Sequence, residues 1–311
     1  MDAVVEHSRD SIAKGSKSFR AASRLFTPAT REDAWLLYAW CRYCDDEIDG
    51  QDHGHDAVRL PQAERKRRLE RLRGLTRAAL AGEPMSDPTF AAFQRVARRH
   101  AFPERWPMEM LDGFAMDVDE ARFETVDDVL LYCWGVAGVV GVMMALVMGV
   151  RDLPVLRRAQ DLGLAFQLTN IARDVIEDAE TGRVYLPDQW LREAGVAPTP
   201  VAVADPANRQ AVHGVAARLL ELAEPYYDSA RGGLRDLPFR SSLAIAAARG
   251  VYREIGRDVL RRGPRAWDRR VIVGRPRKAY LFGRGLLIAL YTQALDRGHT
   301  PPERGELWSR I

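Results

Sequence analysis

The twelve residues Gln167-Leu-Thr-Asn-Ile-Ala-Arg-Asp-Val-Ile-Glu-Asp178 decide how this chain is read. Gln167, Asn170, Asp174 and Asp178 fall at steps of three, four and four. That spacing lines all four side chains along one face of a helix and scatters them on a strand. Acid and amide oxygens stacked on one face, directly after an apolar stretch, are a poor cover for a solvent surface. They are a good ladder of ligands for a hard cation such as Mg²⁺. Three- and four-residue spacing of apolar residues recurs along the chain, without a run of alternating β-branched residues. The fold class this predicts is all-α, with helices over residues 30–46, 62–81, 88–100, 105–117, 126–150, 153–178, 208–229, 239–261 and 278–294. Residues 196–208, with prolines among small residues, read as a long loop.

Upstream, Tyr38-Ala-Trp-Cys-Arg-Tyr-Cys-Asp-Asp-Glu-Ile-Asp49 closes an apolar helix with a cluster of acids. Asp45 and Asp49 are one turn apart and share a face, and like charges there repel by roughly 0.2–0.5 kcal/mol. A helix gains nothing from the pair unless a cation sits between them. Arg42, one turn before Asp45, is placed to hold a diphosphate oxygen. By itself the pair reads equally well as a solvated helix end. Two such ladders facing each other across a bundle can clamp several Mg²⁺ ions and a diphosphate bridging them.

Composition fits a globular protein: 47% of the 311 residues are hydrophobic and 29% charged, enough for a large core. The chain reads as one domain, 1–311, since similar helical patterning resumes after the 196–208 loop. The basic run at 65–73 follows helical spacing with Leu69, Leu72 and Leu75, so it reads first as a solvated helix face and second as a membrane-surface contact. No aromatic residues interleave with it as a nucleic-acid groove needs, so no nucleic-acid partner is expected. Three cysteines make no disulfide framework, and Cys41 and Cys44 lack the second pair of a structural zinc site. They read as small core residues in a reducing compartment. The acidic first ten residues are no secretory signal, and a cytoplasmic location is expected. Residues 129–150 carry no charge and are long enough to span a bilayer. Glycines at 135, 138, 141 and 149 favour the other reading, a central helix approached closely by its neighbours. The six histidines form no spacing that suggests a metal site.

With both acidic segments in place, the chain resembles the squalene and phytoene synthase family of trans-prenyl synthases. Tyr132-Cys-Trp-Gly-Val-Ala-Gly-Val-Val-Gly141 is similar to one family signature. Leu162 and Gly163 through Gln167, Asn170, Arg173, Asp174, Asp178, Arg183, Tyr185 and Pro187 are similar to another. Gly15-Ser-Lys-Ser-Phe19 resembles the family's substrate-binding start. Tyr252-Arg-Glu-Ile and Trp267-Asp-Arg-Arg270 resemble the C-terminal part of its bacterial phytoene-forming members.

The resemblance implies a helical bundle of the isoprenoid-synthase type with a central active-site cavity. It implies that Asp45, Asp49, Asn170, Asp174 and Asp178 hold Mg²⁺, with Mn²⁺ as a substitute. It implies that Gly15, Ser16, Lys17, Ser18, Phe19, Tyr38, Arg42, Gln167, Arg173, Tyr252 and Arg270 bind the substrates, and that Tyr132 stands near the reacting carbons. Phe19, Val136, Val140, Met144 and Leu164 would line the interior. The implied chemistry is head-to-head condensation of two geranylgeranyl diphosphates through a cyclopropylcarbinyl intermediate, prephytoene diphosphate. That intermediate ionises, rearranges and loses a proton to give phytoene, a carotenoid precursor, without NADPH. Squalene or dehydrosqualene synthesis from farnesyl diphosphate is the nearest alternative, and a non-catalytic helical scaffold the remotest. Peripheral contact with the inner face of the membrane is expected from so apolar a product.

Overall fold

A computed structural model of the chain describes residues 3–15, 22–50, 60–295 and 303–311. Every regular element among the described residues is helical. In chain order these are α1 (Ala3–Gly15), α2 (Pro28–Asp49), α3 (Gln62–Ala81), α4 (Pro88–His100), α5 (Arg105–Val118) and α6 (Val126–Cys133). A π-helical turn (Trp134–Gly138) leads from α6 into α7 (Val139–Val147). Then follow α8 (Leu153–Glu180), α9 (Asp188–Glu193), α10 (Pro200–Ala204), α11 (Arg209–Gly232), α12 (Phe239–Arg262) and α13 (Arg275–Ala294). The expected helices are all present with ends shifted by a few residues. Helix α1 and the short α9 and α10 are additional.

The 196–208 stretch departs from expectation. Thr199 caps α10 by accepting from the Ala202 amide, and Asp205 accepts from the Ala207 amide at 2.8 Å to start a 3₁₀ turn. Each cap is followed at once by a proline, Pro200 and Pro206, in the first helical position, where the missing N–H costs nothing. These prolines start helices instead of breaking them.

The apolar segment is the central member of the bundle. Val126–Val147 is long and apolar enough to cross a bilayer, and its most apolar stretch is mostly buried within the fold. A capping box starts it: the Thr125 amide donates to Asp128 Oδ2 at 2.7 Å, and the Asp128 amide donates to Thr125 Oγ1 at 3.3 Å. Its glycines do what the sequence implies at three of four positions. Gly135 lies against Gly113 of α5, Gly141 against the Ala159 carbonyl of α8, and Gly138 beneath Gly163 of α8. Gly149, at φ +93°, instead turns the chain after α7.

The basic run of α3 is spoken for by acids. Arg65 reaches the Asp117 carbonyl, Lys66 pairs with Asp119 at 2.9 Å, and Arg68 with Glu64 at 3.1 Å. Arg73 pairs with Asp112 at 2.6 Å. The run is a paired helix face and offers little free charge to a membrane. Cys41, Cys44 and Cys133 are free thiols, and burial pushes all three up, so they stay protonated.

Candidate active site

Helix α2 ends at Gly50, whose left-handed φ of 64° no β-carbon favours, so Asp45 and Asp49 occupy the last turns. Helix α8 carries Gln167, Asn170, Asp174 and Asp178 into its own C-terminal half. The two helix ends meet through Arg183, in the turn after α8, which donates to Asp49 Oδ1 at 2.7 Å. Behind them, at the end of α5, Asp117 accepts from the hydroxyls of Tyr185 at 2.6 Å and Tyr132 at 3.0 Å. An arc of carboxylates from three helices therefore crowds one mouth.

Crowding shows in the acidities. Asp45, recessed but with its side chain still 37% accessible, is pushed up to about 7, first by desolvation and then by Asp49. Asp178 is pushed up to about 8 by burial and then by Asp174. Asp117 is raised by burial, against the pull of Arg183. Burial opposes the charge of Arg183 too, but Tyr185, Asp49 and Asp117 around it hold the guanidinium well above its ordinary range.

The cations are already engaged. Arg42 pairs with Asp45 and Asp46 at 3.0 Å each, and its Nε is buried without a partner. Arg173 donates to Asp174 at 2.8 Å, Arg270 reaches Asp174 at 3.1 Å, and Arg270 also holds Glu177 at 2.8 Å. Arg270 thus reaches the ladder from the C-terminal part of the chain.

Below this mouth lies an apolar cavity of about 700 Å³. Tyr38, Arg42, Gln167, Asn170 and Tyr252 line it near the acids, and Val136, Val140, Met144, Leu162 and Val251 form part of the walls. Tyr252 stacks on Phe166, ring centroids 4.0 Å apart, and both face the cavity. Val155, Arg158 and Leu234 line its deep part.

Do these residues suit a divalent cation? Asn170 Nδ2 donates to Gln167 Oε1 at 3.3 Å, and Asn170 Oδ1 is buried with no hydrogen-bond partner. A buried orphan oxygen costs free energy unless something electropositive meets it. With Asp45 and Asp178 raised first by burial and then by neighbouring carboxylates, the donor set is hard, oxygen-only and short of positive charge. That fits Mg²⁺ or Mn²⁺. Among the described residues no three acids or imidazoles converge closely enough to cage an ion alone. The fit is to an ion shared with a ligand's phosphate oxygens.

A carboxyl whose folded pKa lies above its unfolded value contributes stability that is complete below about pH 4. That stability is lost as pH rises through about 7 for Asp45 and about 8 for Asp178. Cations that neutralise these charges should therefore raise Tm more at pH 8 than at pH 6. Melting curves with MgCl₂ and inorganic diphosphate at both pH values check this, and equal shifts would count against carboxylate ligation.

Two expectations are corrected. Tyr132 does not line the cavity: it is buried behind the acids, hydrogen-bonded to Asp117 and stacked on Tyr185 at 4.9 Å. Leu164 is wholly buried in the core beside Gly138. Gly15 ends α1, and Ser16, Lys17, Ser18 and Phe19 lie outside the described residues. Asp117 escapes a reading of the sequence because it stands beside Asp119 and Glu120 in an acidic run that reads as a solvated helix end. Nothing in the spacing singles it out from those neighbours.

Residues 12–277 match the family model described as squalene/phytoene synthase. The chain is 50% identical over 309 residues to the phytoene synthase of Pseudescherichia vulneris, covering 99% of this chain and 98% of that one. It is 52% identical over 287 residues to the 15-cis-phytoene synthase of a Paracoccus species, covering 92% and 91%. A crystal structure of a dehydrosqualene synthase in complex with ligand superposes with a TM-score of 0.79 at 27% identity, covering 91% of this chain and 95% of that one. A squalene synthase from Alicyclobacillus acidocaldarius shares the fold, with a TM-score of 0.73 at 23% identity, over 84% and 94% of the two chains.

Proposed function

The chain belongs to the squalene/phytoene synthase family, and from that premise we propose that it is a phytoene-forming prenyltransferase joining two geranylgeranyl diphosphates head to head. The observation that carries the choice of substrate is the length of the cavity along α8. Its lining runs from Asn170 at the acidic mouth to Val155, fifteen residues away, or about 22 Å at the helical rise. An extended C20 prenyl chain measures roughly 19 Å and a C15 chain roughly 14 Å at ordinary carbon–carbon bond lengths. The longer chain fills that wall and the shorter leaves about a third of it bare.

Asp45, Asp49, Asn170, Asp174 and Asp178 would hold Mg²⁺, which supplies positive charge to the departing diphosphate. Arg42, Arg173, Arg183 and Arg270 stand around the same mouth and can turn from their carboxylates to phosphate oxygens. The stacked rings of Phe166 and Tyr252 present π faces where an allylic cation would form. Val136, Val140 and Met144 keep water from that cation, so the carbon–carbon bond competes successfully with hydrolysis. Asp117 fixes Tyr132 and Tyr185 and so holds the end of α5 to α6 and to the segment after α8, a positioning role. A cytoplasmic location belongs to the same proposal.

Incubation with C20 and C15 diphosphates, each with and without NADPH, tests it. Phytoene from the C20 substrate without NADPH is expected. Preferential formation of a C30 product, or a requirement for NADPH, would overturn the substrate assignment.

A further inference from the structure

Helix α13 is apolar on two opposite faces. One face, Leu281, Gly285, Ala289 and Thr292, is buried. Gly285 brings it against the backbone of Ala247 in α12, where a β-carbon would stand 3.0 Å from the Ala247 nitrogen. The other face, Tyr280, Leu287, Leu290 and Tyr291, is exposed among the described residues, with Leu287 at 68%. Seven of the twelve exposed large apolar residues among the described residues lie between Ile272 and Leu295, a small part of the chain. Clustering of that kind marks a contact surface.

Charge identifies the partner. From Arg269 to Leu295 there are cations at 269, 270, 275, 277, 278 and 284 and not one acid. Arg270 and Arg277 are engaged with Glu177 and Glu254, whereas Arg275, Lys278 and Arg284 meet no carboxylate among the described residues. A second copy packed on this face by two-fold symmetry would set like charges against each other with no acid in the segment to relieve them. An anionic lipid surface supplies the missing negative charge and accepts the apolar side chains. The same helix borders the reaction chamber, because Lys278 and Phe282 complete the cavity wall.

We propose that the outer face of α13 docks the protein on an anionic bilayer leaflet and places the Lys278–Phe282 side of the cavity at the lipid surface. The inference rests on the proposed function only for the reason a lipid contact is useful, since an extended hydrocarbon product has no route through water.

Vesicle sedimentation without substrate tests the surface separately from the reaction. The full chain should bind vesicles of phosphatidylcholine with phosphatidylglycerol and release at high salt, and bind phosphatidylcholine alone weakly. A Leu287→Ser/Leu290→Ser/Tyr291→Ser variant should bind the anionic vesicles at least about tenfold more weakly, with its activity in detergent micelles retained. Because that variant could unfold, an Arg275→Glu/Arg284→Glu variant, altered only at exposed charges, should show the same loss. Equal binding by wild type and the charge variant overturns the proposal. So does a concentration-dependent dimer that the serine variant abolishes while the wild type ignores vesicles, which would give the face to a second copy. Loss of micellar activity with vesicle binding intact would instead count against the assigned reaction.

Discussion

Asp174→Ala and Asp45→Ala proteins should each lose turnover by about a thousandfold or more while far-UV circular dichroism stays unchanged. The size follows from removing one ligand of a charge-neutralising site, roughly 4 kcal/mol in the transition state. Asp174 is the stricter test. In the structure it accepts from Arg173 at 2.8 Å and Arg270 at 3.1 Å, so its removal frees the Arg173 guanidinium and leaves Arg270 held by Glu177 alone. If its purpose were only to pair those arginines, Asp174→Ala would leave more positive charge for a diphosphate and bind it at least as tightly. If it holds a cation, diphosphate release falls and excess MgCl₂ restores little. Near-normal single-turnover release of diphosphate from either variant would end the metal assignment for that residue.

Gly163→Val should prevent stable folding, and even Gly163→Ala should cost roughly 3 kcal/mol or more. A β-carbon at Gly163 would run into the Ala137 carbonyl and stand 2.7 Å from the α-carbon of Gly138. Both neighbours are backbone of the central helix, so no side chain can rotate away. Gly135 is in the same position against Gly113, at 2.6 Å from its α-carbon. Gly74, in α3, has nothing within 4 Å, and Gly74→Ala should stabilise by about 0.5–1 kcal/mol. Thermal melts of the two alanine variants give the comparison, and equal melting temperatures would refute the close-approach argument. The glycines matter to the site because α8 carries the ladder from Gln167 to Asp178. Moving α8 off the central helix would widen the cavity and separate its acids from those of α2.

The docking face of α13 shows why some of this lies beyond a reading of residues. In sequence, the basic run at 65–73 is the densest positive segment and the natural candidate for a membrane contact. In the fold its arginines and lysine face Glu64, Glu47, Asp119 and Asp112, which come from three different segments. The cations of α13 are fewer and, apart from Arg277 on Glu254, meet no carboxylate among the described residues. Pairing over long sequence distance cannot be seen in periodicity. Asp117 and Arg183 are a similar case: each joins the site through partners more than sixty residues away, Tyr185 for one and Asp49 for the other.

What the sequence determines by itself is whatever depends on neighbours within a turn or two. The 3.6-residue period sets the helices, Gly50 ends α2 just past Asp49, and the steps of three and four place Gln167, Asn170, Asp174 and Asp178 on one face. These follow from local geometry and need no knowledge of the rest of the chain. Only the tertiary structure decides that the two ladders share one mouth and that Arg270 reaches Asp174. It also decides that Tyr132 sits behind the acids and not in the cavity, and that one apolar face of α13 is exposed among the described residues. Each of those depends on how buried surfaces choose among possible partners. The glycines of the central helix announce that a neighbour approaches closely, but packing alone decides that the neighbour is α8.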